Sequence, residues 1–537
     1  MWGKIIKKKF TILFICTLFI ATVFPTVTCI KTDYIYKILS SPIQYSSQDD
    51  WYEIQKLTAI DGTVNDHFGY SVCIDGDIAL IGAFGDDDYK GSAYVFTRFE
   101  NIWTEQSKLI AVDRTQFDYF GLSVCIDGDT ALIGAEGDDE HKGSAYVFTR
   151  VENNWIQQAK LTDLKGDIND HFGYSVSIDG DNAVIGAFGD DRWEGSVHVF
   201  TRIENNWVPW ANLTASDGLA GDNFGYSVCI NGDTILIGSV GDDMNKGSAY
   251  VFKCVENVWF QQAKLIALDG DIYDRFGYSV FLDGDTAIIG AESDNEHKGS
   301  AYLFTRVENT WTQLGKLTDL EGVAFDYFSE SVSLDDNTVL IAAFGDDDYK
   351  GSAYVFNCFE NNWILQAKIT ALDGKADDFF GCSVSIDNNK ILIGAENDDE
   401  KKGSAYVFTK NNPPDKPSKP SGETKGKIGQ KYTYKASTTD PDGNQLFYNW
   451  SWGDGTFSGG IGPYDSGIIC EANHTWTEKG SYEIKVKAQD IHGLVSDWSD
   501  PLTIRMPKTY IFNPMAQLLM IILERFPFFE KILKLYL

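Results

Sequence analysis

The sequence predicts an all-β protein whose largest part is a seven-bladed β-propeller. Three observations support this: a motif that returns at a fixed spacing, short runs of β-type residues within each copy, and turn residues between those runs. The motif, FGYSVCIDGDIALIGAFGDDDYKGSAYVFTR, begins at Phe68 and returns every 52 residues, at Phe120, Phe172, Phe224, Phe276, Phe328 and Phe380. A fixed period of this kind is typical of architectures in which one supersecondary unit is repeated.

Each copy contains four runs of β-type residues. In the first copy these are SVCI, IALIGA, SAYVFTR and WTEQSKLIA, and they are separated by IDGD, the acidic loop FGDDDYKG and FEN. The pair Asp75-Gly76 favours a two-residue hairpin turn, because glycine tolerates the positive φ that such a turn requires. The runs ALIGA and AYVF are apolar on both faces, which is typical of a sheet covered on both sides. A four-stranded meander between two neighbours fits a propeller blade.

The two ends of the repeat array indicate how the ring closes. The first recognisable element, WYEIQKLTA from Trp51, matches the fourth strand of a copy, and the last copy stops after its third strand, at Lys410. We therefore expect residues 51–59 to complete the blade that begins at Phe380, which removes two exposed sheet edges. The predicted propeller spans residues 51–410.

Composition and the N-terminus restrict the class of protein. The chain has 78 acidic and 45 basic residues, a formal charge of -33, which argues against a nucleic-acid partner because phosphate binding needs a basic surface. Residues 1–29 combine a lysine-rich start with an apolar run, as in a secretory signal peptide or a retained N-terminal anchor, and we expect residues 30–50 to be a linker. One repeat position alternates between Cys, Ser and Phe, so we expect free thiols rather than a disulfide framework.

With FGYSV, LIGA and GSAYVF in view, the copies resemble FG-GAP repeats, the units of the integrin α-subunit propeller. The resemblance implies a seven-bladed extracellular propeller used for binding or adhesion. Integrin-type repeats often carry a calcium loop between their first and second strands. Here that connection is as short as IDGDIA, too tight to surround a cation with six or more oxygens, so the calcium residues of the family are not carried over.

The C-terminal third adds a second module and a tail. After a proline-rich linker, 411–427, residues 428–506 resemble a PKD domain through Trp452-Gly453-Asp454-Gly455 and His474-Thr475-Trp476. The resemblance implies an immunoglobulin-like β-sandwich that serves as a spacer or binding module and in some proteins accompanies a secreted hydrolase. The tail, 507–537, has a helix start at Asn513-Pro514 and apolar runs too short for a bilayer span. We expect an amphipathic helix that contacts a membrane or envelope, or one that docks on the sandwich.

Two acidic loops of every copy are predicted to emerge on the same face of the ring, because successive connections of a meander alternate between its two ends. Their aspartates have two interpretations: they cap backbone N–H groups of their own loops, or they bind Ca²⁺ weakly between the two loops. The metal candidates are Asp66, Asp86, Asp118, Asp138, Asp170 and Asp190.

Ligand specificity should come from positions at which the copies differ. The loop position of Tyr89 becomes His141, Trp193, Asn245, His297, Tyr349 and Lys401 in the later copies. Aromatic side chains on a concave rim are suited to stacking on sugars or to anchoring a protein partner. Trp193, flanked by the deviant Arg192 and Glu194, is the strongest candidate. Glu330 breaks FGYSV into FSESV and indicates either blade-specific strain or a site.

No catalytic motif of the G-x-S-x-G, H-E-x-x-H or C-x-x-C type is present. Aspartate pairs recur in every copy, whereas an active site breaks symmetry, so we expect no enzymatic activity. The sequence therefore predicts an exported surface or secreted protein that presents a propeller face to a protein or glycan ligand. The alternatives are a secreted hydrolase with accessory domains and a structural component of a surface layer.

Overall fold

A computed structural model of the protein describes residues 51–99, 101–359, 362–507 and 514–525. The predicted signal peptide or anchor, 1–29, and the linker, 30–50, lie outside the described residues. The described chain is almost entirely β: seven four-stranded antiparallel sheets are followed by a smaller sandwich and one helix. The predicted fold class, a seven-bladed propeller followed by a β-sandwich, is confirmed.

The propeller strands are numbered in chain order. Strand β1 is Trp51–Leu57. Blade 1 contains β2 (Phe68–Asp75), β3 (Ile78–Ala83), β4 (Ser92–Phe99) and β5 (Ile102–Leu109); blade 2 contains β6 (Val124–Asp127), β7 (Thr130–Ala135), β8 (Ser144–Val151) and β9 (Asn154–Leu161). Blade 3 contains β10 (Ser175–Asp179), β11 (Asn182–Ala187), β12 (Ser196–Ile203) and β13 (Asn206–Leu213); blade 4 contains β14 (Phe224–Asn231), β15 (Thr234–Ser239), β16 (Ser248–Val255) and β17 (Val258–Leu265). Blade 5 contains β18 (Val280–Asp283), β19 (Thr286–Ala291), β20 (Ser300–Val307) and β21 (Thr310–Leu317); blade 6 contains β22 (Phe328–Asp335), β23 (Thr338–Ala343), β24 (Ser352–Phe359) and β25 (Asn362–Ile369). Blade 7 contains β26 (Phe380–Asp387), β27 (Lys390–Ala395) and β28 (Ser404–Lys410).

The seventh sheet takes its fourth strand from the other end of the propeller. Strand β1 pairs antiparallel with β28, from Trp51 opposite Lys410 to Leu57 opposite Ala405. The contact between blade 7 and blade 1 also matches the contact between other neighbouring blades. The N–H of Phe68 donates to the carbonyl of Lys402 at 3.0 Å, as the N–H of Phe172 donates to the carbonyl of Lys142. Blade 7 therefore meets blade 1 through the contacts that join the other blades.

The residues that recur in every copy fill the space between blades. Phe68 is completely buried, and its ring meets the rings of Tyr94 and Phe96 edge-on, with centroids 5.4 and 6.0 Å apart. Gly91 lies against the next blade, where a Cβ atom would be 2.0 Å from the carbonyl oxygen of Phe120. The recurring glycine is thus required because two backbones approach closely there.

The hairpin between the first two strands differs by one residue from the prediction. Asp75 pairs with Ile78, so the two turn residues are Gly76, with φ 58°, and Asp77, rather than Asp75 and Gly76. Asp75 belongs to the strand, and its carboxylate contacts the next blade: it accepts a hydrogen bond of 2.6 Å from the N–H of Gly128 in blade 2. Where glycine is absent, Asp336 and Asn388 adopt the same positive φ.

The C-terminal module is a sandwich of two antiparallel sheets. Its strands are β29 (Lys431–Ala436), β30 (Leu446–Ser451), β31 (Phe457–Tyr464), β32 (Cys470–Thr475), β33 (Gly480–Asp490) and β34 (Leu502–Met506). One sheet pairs β29 with β32, and the other has the order β31-β30-β33-β34. The ring of His474 stacks on Trp452 at 4.8 Å, and its Nε2 lies 2.7 Å from Oδ2 of Asp454, so the two motifs that indicated a PKD domain contact each other.

The segment predicted as a linker, 411–427, is hydrogen-bonded to the sandwich. The N–H groups of Ser418 and Ser421 donate to the carbonyls of Ser437 and Lys435, both at 2.9 Å. An extended proline-rich segment can run along a sheet edge in this way because its remaining N–H groups are free to donate. At its start, Asn411 Nδ2 donates to Asp490 Oδ2 at 3.0 Å, which ties the end of the last blade to the sandwich.

The seven cysteines in the described part of the chain are free thiols, in agreement with the sequence prediction. The described part of the tail forms one helix, Pro514–Arg525, which begins at the predicted proline. Among the described residues, no helix combines the length and apolar character needed to cross a bilayer.

Candidate functional site

The two acidic loops of each blade lie side by side on one face of the ring, here called the long-loop face. In blade 1 the N–H of Gly85 donates to the carbonyl of Asp66 at 3.1 Å, which joins the loops. The Asp66 carboxylate accepts hydrogen bonds from the N–H and hydroxyl of Thr63 at 2.6 and 2.9 Å. Burial raises the pKa of Asp66. Its counterparts cap the N–H three residues earlier in the same way: Asp118, Asp170, Asp222, Asp274, Asp326 and Asp378.

The aspartate of the second loop contacts a lysine. In blade 1, Asp86 Oδ2 lies 2.7 Å from Lys108 Nζ and accepts a hydrogen bond of 2.5 Å from Ser92 Oγ. The same ammonium contacts Asp61 at 2.7 Å and lies 5.1 Å from the centre of the Tyr94 ring. Six blades have such a lysine: Lys56, Lys108, Lys160, Lys264, Lys316 and Lys368. These contacts favour the interpretation that the carboxylates stabilise their own loops. A cation that bound here would have to displace the lysine.

Blade 3 differs from this pattern. Asn212 stands opposite His198 in the register, where blade 2 has Lys160 opposite Tyr146. Ser196 Oγ lies 3.1 Å from His198 Nε2, in place of the contact between serine and aspartate in other blades. Burial, together with the charges of Asp190, Asp167 and Asp163, raises the pKa of Asp170 to about 6.

The variable positions of the repeat meet on the long-loop face around the ring axis, and we call this region the mouth. It includes the predicted loop position and two further positions: the residue before the Phe-Gly pair and the residue that follows the second strand. The first of these is occupied by His67, Tyr119, His171, Asn223, Arg275, Tyr327 and Phe379. The second is occupied by Phe84, Glu136, Phe188, Val240, Glu292, Phe344 and Glu396.

The loop position is held by an unusual backbone. Three consecutive residues, such as Asp87, Asp88 and Tyr89, have φ between 52 and 65°, in the left-handed region that costs non-glycine residues about 1–2 kcal/mol each. Hydrogen bonds fix the turn: the N–H of Tyr89 donates to Gly85, and its carbonyl accepts from Tyr119 of blade 2 at 3.2 Å. Each blade thus positions its loop side chain against the next blade.

Aromatic rings line the mouth in two groups. In blades 1 to 3, Tyr89 lies 6.0 Å from Tyr119, which lies 6.2 Å from His141, and His171 lies 5.4 Å from Trp193. Opposite them, His297 lies 5.4 Å from Tyr327, and Tyr349 lies 5.5 Å from Phe379. The predicted residues Tyr89, His141, Trp193, His297 and Tyr349 therefore occupy one surface, and Trp193 is the most exposed, at 43%.

Below the mouth, a cavity of about 430 Å³ follows the ring axis. Its wall takes one side chain from the first-strand segment of each blade: Tyr70, Leu122, Tyr174, Tyr226, Tyr278, Glu330 and Cys382. Glu330 accepts a hydrogen bond of 3.0 Å from the hydroxyl of Tyr278. Burial raises the pKa of Glu330 to about 8, and the charge of Glu292 adds to the rise. Glu330, which breaks the FGYSV motif in blade 6, thus places a carboxyl group in the wall of the axial cavity.

One cluster at the mouth combines groups from blades 2 and 3. Nδ1 of His141 lies 3.3 Å from Oε2 of Glu136, and Nδ1 of His171 is hydrogen-bonded to the same oxygen. Burial raises the pKa of Glu136, but the hydrogen bonds and charges of the two histidines outweigh it and lower the pKa below its usual value. The carboxylate is therefore a stable anion between two imidazole rings.

Sequence reasoning found one of the three variable positions and missed the other two. The missed positions adjoin constant residues, Phe-Gly on one side and the second strand on the other, so their variation looks like local drift. A comparison of all variable positions across the copies would have found them, since the position before Phe-Gly alternates between aromatic, charged, amide and imidazole side chains and the position after the second strand mostly alternates between phenylalanine and glutamate. Sequence reasoning also missed the lysine of the fourth strand, which recurs in six of the seven blades and neutralises the recurring aspartates.

The fold and the mouth define a seven-bladed β-propeller with a variable surface on a constant frame, followed by a sandwich module. The model of the FG-GAP repeat matches residues 51–96, 103–148, 155–200, 207–252, 259–304, 311–356 and 363–408, which together are more than half of the chain. The chain belongs to the FG-GAP repeat family. The model of the PKD domain matches residues 415–506.

Curated relatives include integrin α-chains. Human integrin alpha-X is 26% identical over 211 residues, which cover 34% of this chain and 17% of the relative. Mouse integrin alpha-M is 26% identical over 231 residues, 37% of this chain and 20% of the relative. The chain thus matches about a fifth of the length of these relatives.

Two solved structures are also similar to parts of the chain. The PKD domain of an M14-like peptidase from Thermoplasmatales archaeon SCGC AB-540-F20 is 44% identical and covers 18% of this chain and 99% of that one, with a TM-score of 0.18. The extracellular domain of a putative one component system from B. thetaiotaomicron is 8% identical and covers 86% of this chain and 99% of that one, with a TM-score of 0.22.

Proposed function

We propose that this chain is an exported surface protein that binds an extracellular partner protein at the mouth of its propeller, and that it acts by binding rather than by catalysis. The observation that carries the proposal is the gathering of three variable positions on one face of an otherwise repeated frame. Family membership and the likeness to integrin α-chains support a binding or adhesive role. The recurring aspartates give this proposal less support, because their carboxylates are already engaged by lysines and loop N–H groups.

The chemistry of the mouth fits a partner with apolar and hydrogen-bonding groups. Tyr and Trp offer large rigid rings with one polar atom, and such residues dominate the binding energy of many interfaces. Trp193 and Tyr89 are held in turns whose backbone is fixed by bonds to the next blade, so little conformational entropy is lost when a partner binds. A glycan that stacks on the same rings is the alternative ligand.

The test compares two sets of substitutions in the full-length protein. Trp193→Asn, Tyr89→Asn and Tyr349→Asn copy the residue at this position in blade 4, Asn245, which has the same left-handed φ. The matched control, Phe99→Val and Phe359→Val, removes aromatic rings that are 78% and 66% exposed at the ends of the third strands and copies Val151.

Captured envelope proteins and a glycan array identify the ligand, and surface plasmon resonance with the purified ligand measures its affinity. We expect the mouth variant to lose at least about tenfold in affinity, as for removal of interface hot spots, and the control to bind as the wild type does. Equal affinities for the two variants would contradict the proposal. Retention on the glycan array alone, lost in the mouth variant, would assign a glycan and contradict the protein partner.

Export and attachment belong to the same proposal. The lysine-rich and apolar start of the chain supports export. The helix Pro514–Arg525 presents exposed apolar side chains, among them Leu518 and Ile521, which supports contact of the tail with a membrane or envelope. Fractionation of cells that express the full chain or a chain lacking residues 507–537 tests this: we expect the shortened chain to move from the envelope to the medium.

A further inference from the structure

The cluster of Glu136, His141 and His171 lies at the mouth but is not explained by binding through aromatic rings. Within the part of the chain that the structure describes, it is the only group of three side chains with metal-ligating atoms close together: one carboxylate oxygen and two imidazole nitrogens lie within 4.8 Å of one another. Glu136 and His141 lie in the same connection of blade 2, and His171 reaches them because blade 3 packs against blade 2.

We infer that Glu136, His141 and His171 form a binding site for a transition-metal dication such as Zn²⁺. Imidazole nitrogen and carboxylate oxygen are ligands that zinc prefers, at about 2.0–2.2 Å, so that two ligand atoms of a tetrahedral site lie about 3.3 Å apart. The distance from His141 Nδ1 to Glu136 Oε2 is 3.3 Å. A small rotation of the Glu136 side chain would lengthen the hydrogen bond to His171 to the same spacing.

The backbone prepares the site. The N–H of His171 donates to the carbonyl of His141 at 2.9 Å, which fixes the two histidines relative to each other across the blade boundary. The His171 ring stacks on Phe188 with centroids 4.9 Å apart, and Glu136 directly follows strand β7. The side chain of His141, 39% exposed, has the most room to adjust. Little conformational entropy is therefore lost when a metal binds.

The site has room for further ligands. Glu136 and His171 side chains are 12% and 15% exposed, whereas His141 faces solvent at the mouth. Three protein ligands with an accessible fourth position are typical of zinc sites that accept water or a group of a bound molecule. Calcium is not expected to bind, because it requires six or more oxygens and the cluster offers one carboxylate.

The chain contains its own comparison sites. In blades 5 and 6 the equivalent residues are Glu292, His297 and Tyr327, so one histidine is replaced by tyrosine, and His297 Nδ1 lies 3.9 Å from Glu292 Oε2. In blades 7 and 1 the set is Glu396, Lys401 and His67. These sites show which residues the fold accepts at each position.

The experiment titrates the purified full-length protein with ZnCl₂ in a calorimeter and, separately, with CoCl₂ while the visible spectrum is recorded. We expect one saturable site per chain in the wild type. His171→Tyr copies Tyr327 and His141→Tyr copies Tyr89, and each variant should lower the affinity at least about tenfold, since even groups outside the ligand shell affect metal affinity by 10–100-fold. His297→Tyr, which removes a histidine from the same loop position of blade 5, should leave zinc binding unchanged.

A constructive variant guards against misfolding as an explanation. Arg275→Tyr with Tyr327→His rebuilds in blades 5 and 6 the residues found in blades 2 and 3, and we expect it to bind two zinc ions per chain. Wild-type protein that binds no zinc would overturn the inference, as would His141→Tyr protein that binds zinc with wild-type affinity. Cobalt spectra dominated by thiolate absorption would overturn it too, because they would place the metal on cysteine. The calorimetric result does not depend on the proposed partner protein.

Discussion

The backbone N–H of His67 donates to the carbonyl of Lys401 at 3.0 Å, and these residues, far apart in the sequence, join blade 1 to blade 7. The same bond connects His171 to His141 and Tyr327 to His297. Closure of the ring therefore uses the contact that every neighbouring pair uses. Strand β1 completes it, because Leu57 packs in one cluster with Leu392, Ala405 and Val407.

The first prediction tests this closure with two leucines in equivalent places. Leu57 and Leu161 are 1% and 3% exposed, and Leu161 packs with Leu132 and Val147, the counterparts of Leu392 and Val407. We expect Leu57→Ala and Leu161→Ala to lower the free energy of unfolding equally, by about 2–5 kcal/mol, as for truncation of a buried leucine. Guanidinium denaturation of both variants measures the effect. An unchanged stability of Leu57→Ala beside a destabilised Leu161→Ala would show an open ring.

Repetition made most of the propeller predictable, because the same pattern of strands and turns appears in all seven copies. The hairpin turn was predicted one residue too early. The hydrogen bond from Gly128 to Asp75 joins two blades, so it cannot be detected from the sequence of one copy. The mouth was predicted only in part for a related reason. Trp193 stood out by its type, but the meeting of His141 with His171 depends on the contact between blades, and a pattern within one copy does not contain it.

Glu330 predicts a pH dependence. Its pKa is about 8 in the folded protein, raised by burial, against an ordinary value of 4.5 in the unfolded chain. The folded state therefore holds the proton more tightly, so the group lowers stability progressively as the pH rises from about 4.5 to about 8. Glu330→Gln keeps an acceptor for the Tyr278 hydroxyl and removes this loss. We expect the variant to melt at a higher temperature than the wild type at pH 8 and at the same temperature at pH 4.

The control for this comparison is Glu478→Gln, which removes a carboxylate from an exposed position of the sandwich. Calorimetric scans of the three proteins between pH 4 and pH 8.5 give the dependence. A melting difference between Glu330→Gln and the wild type that stays constant over this range would contradict the prediction, because it would arise from packing and not from proton binding.

Blade 3 predicts a stabilising substitution. Asn212 occupies the position of the lysine that contacts aspartates in the other blades, and Asp163, Asp170 and Asp190 lie nearby. Blade 6 shows the alternative, where Lys368 contacts Asp346 and the Tyr354 hydroxyl donates to Asp319. We expect Asn212→Lys with His198→Tyr to raise the free energy of unfolding by about 1 kcal/mol, as for a typical intramolecular hydrogen bond.

The gain should depend on pH, since the pKa of Asp170 is raised to about 6 in the folded state and its negative charge lowers stability above pH 3.8. The added lysine offsets that charge, so the stabilisation should be larger at pH 7 than at pH 4. Lys264→Asn, which copies blade 3 into blade 4, is the reciprocal control and should destabilise at pH 7. Urea denaturation at both pH values measures the three proteins. A stabilised Lys264→Asn variant would contradict the argument.

Calcium provides the last prediction, because the acidic loops are the feature that most resembles a cation site. Asp66 uses both carboxylate oxygens for Thr63, and Asp86 is held by Lys108 and Ser92. A calcium ion would have to break these bonds and replace an ammonium that already neutralises the carboxylates, and it requires six or more oxygens. We expect millimolar CaCl₂ to leave the melting temperature of the propeller unchanged relative to EDTA. A concentration-dependent rise in the wild type, reduced when Asp66 and Asp86 of blade 1 are both changed to Asn, would instead establish the loops as calcium sites.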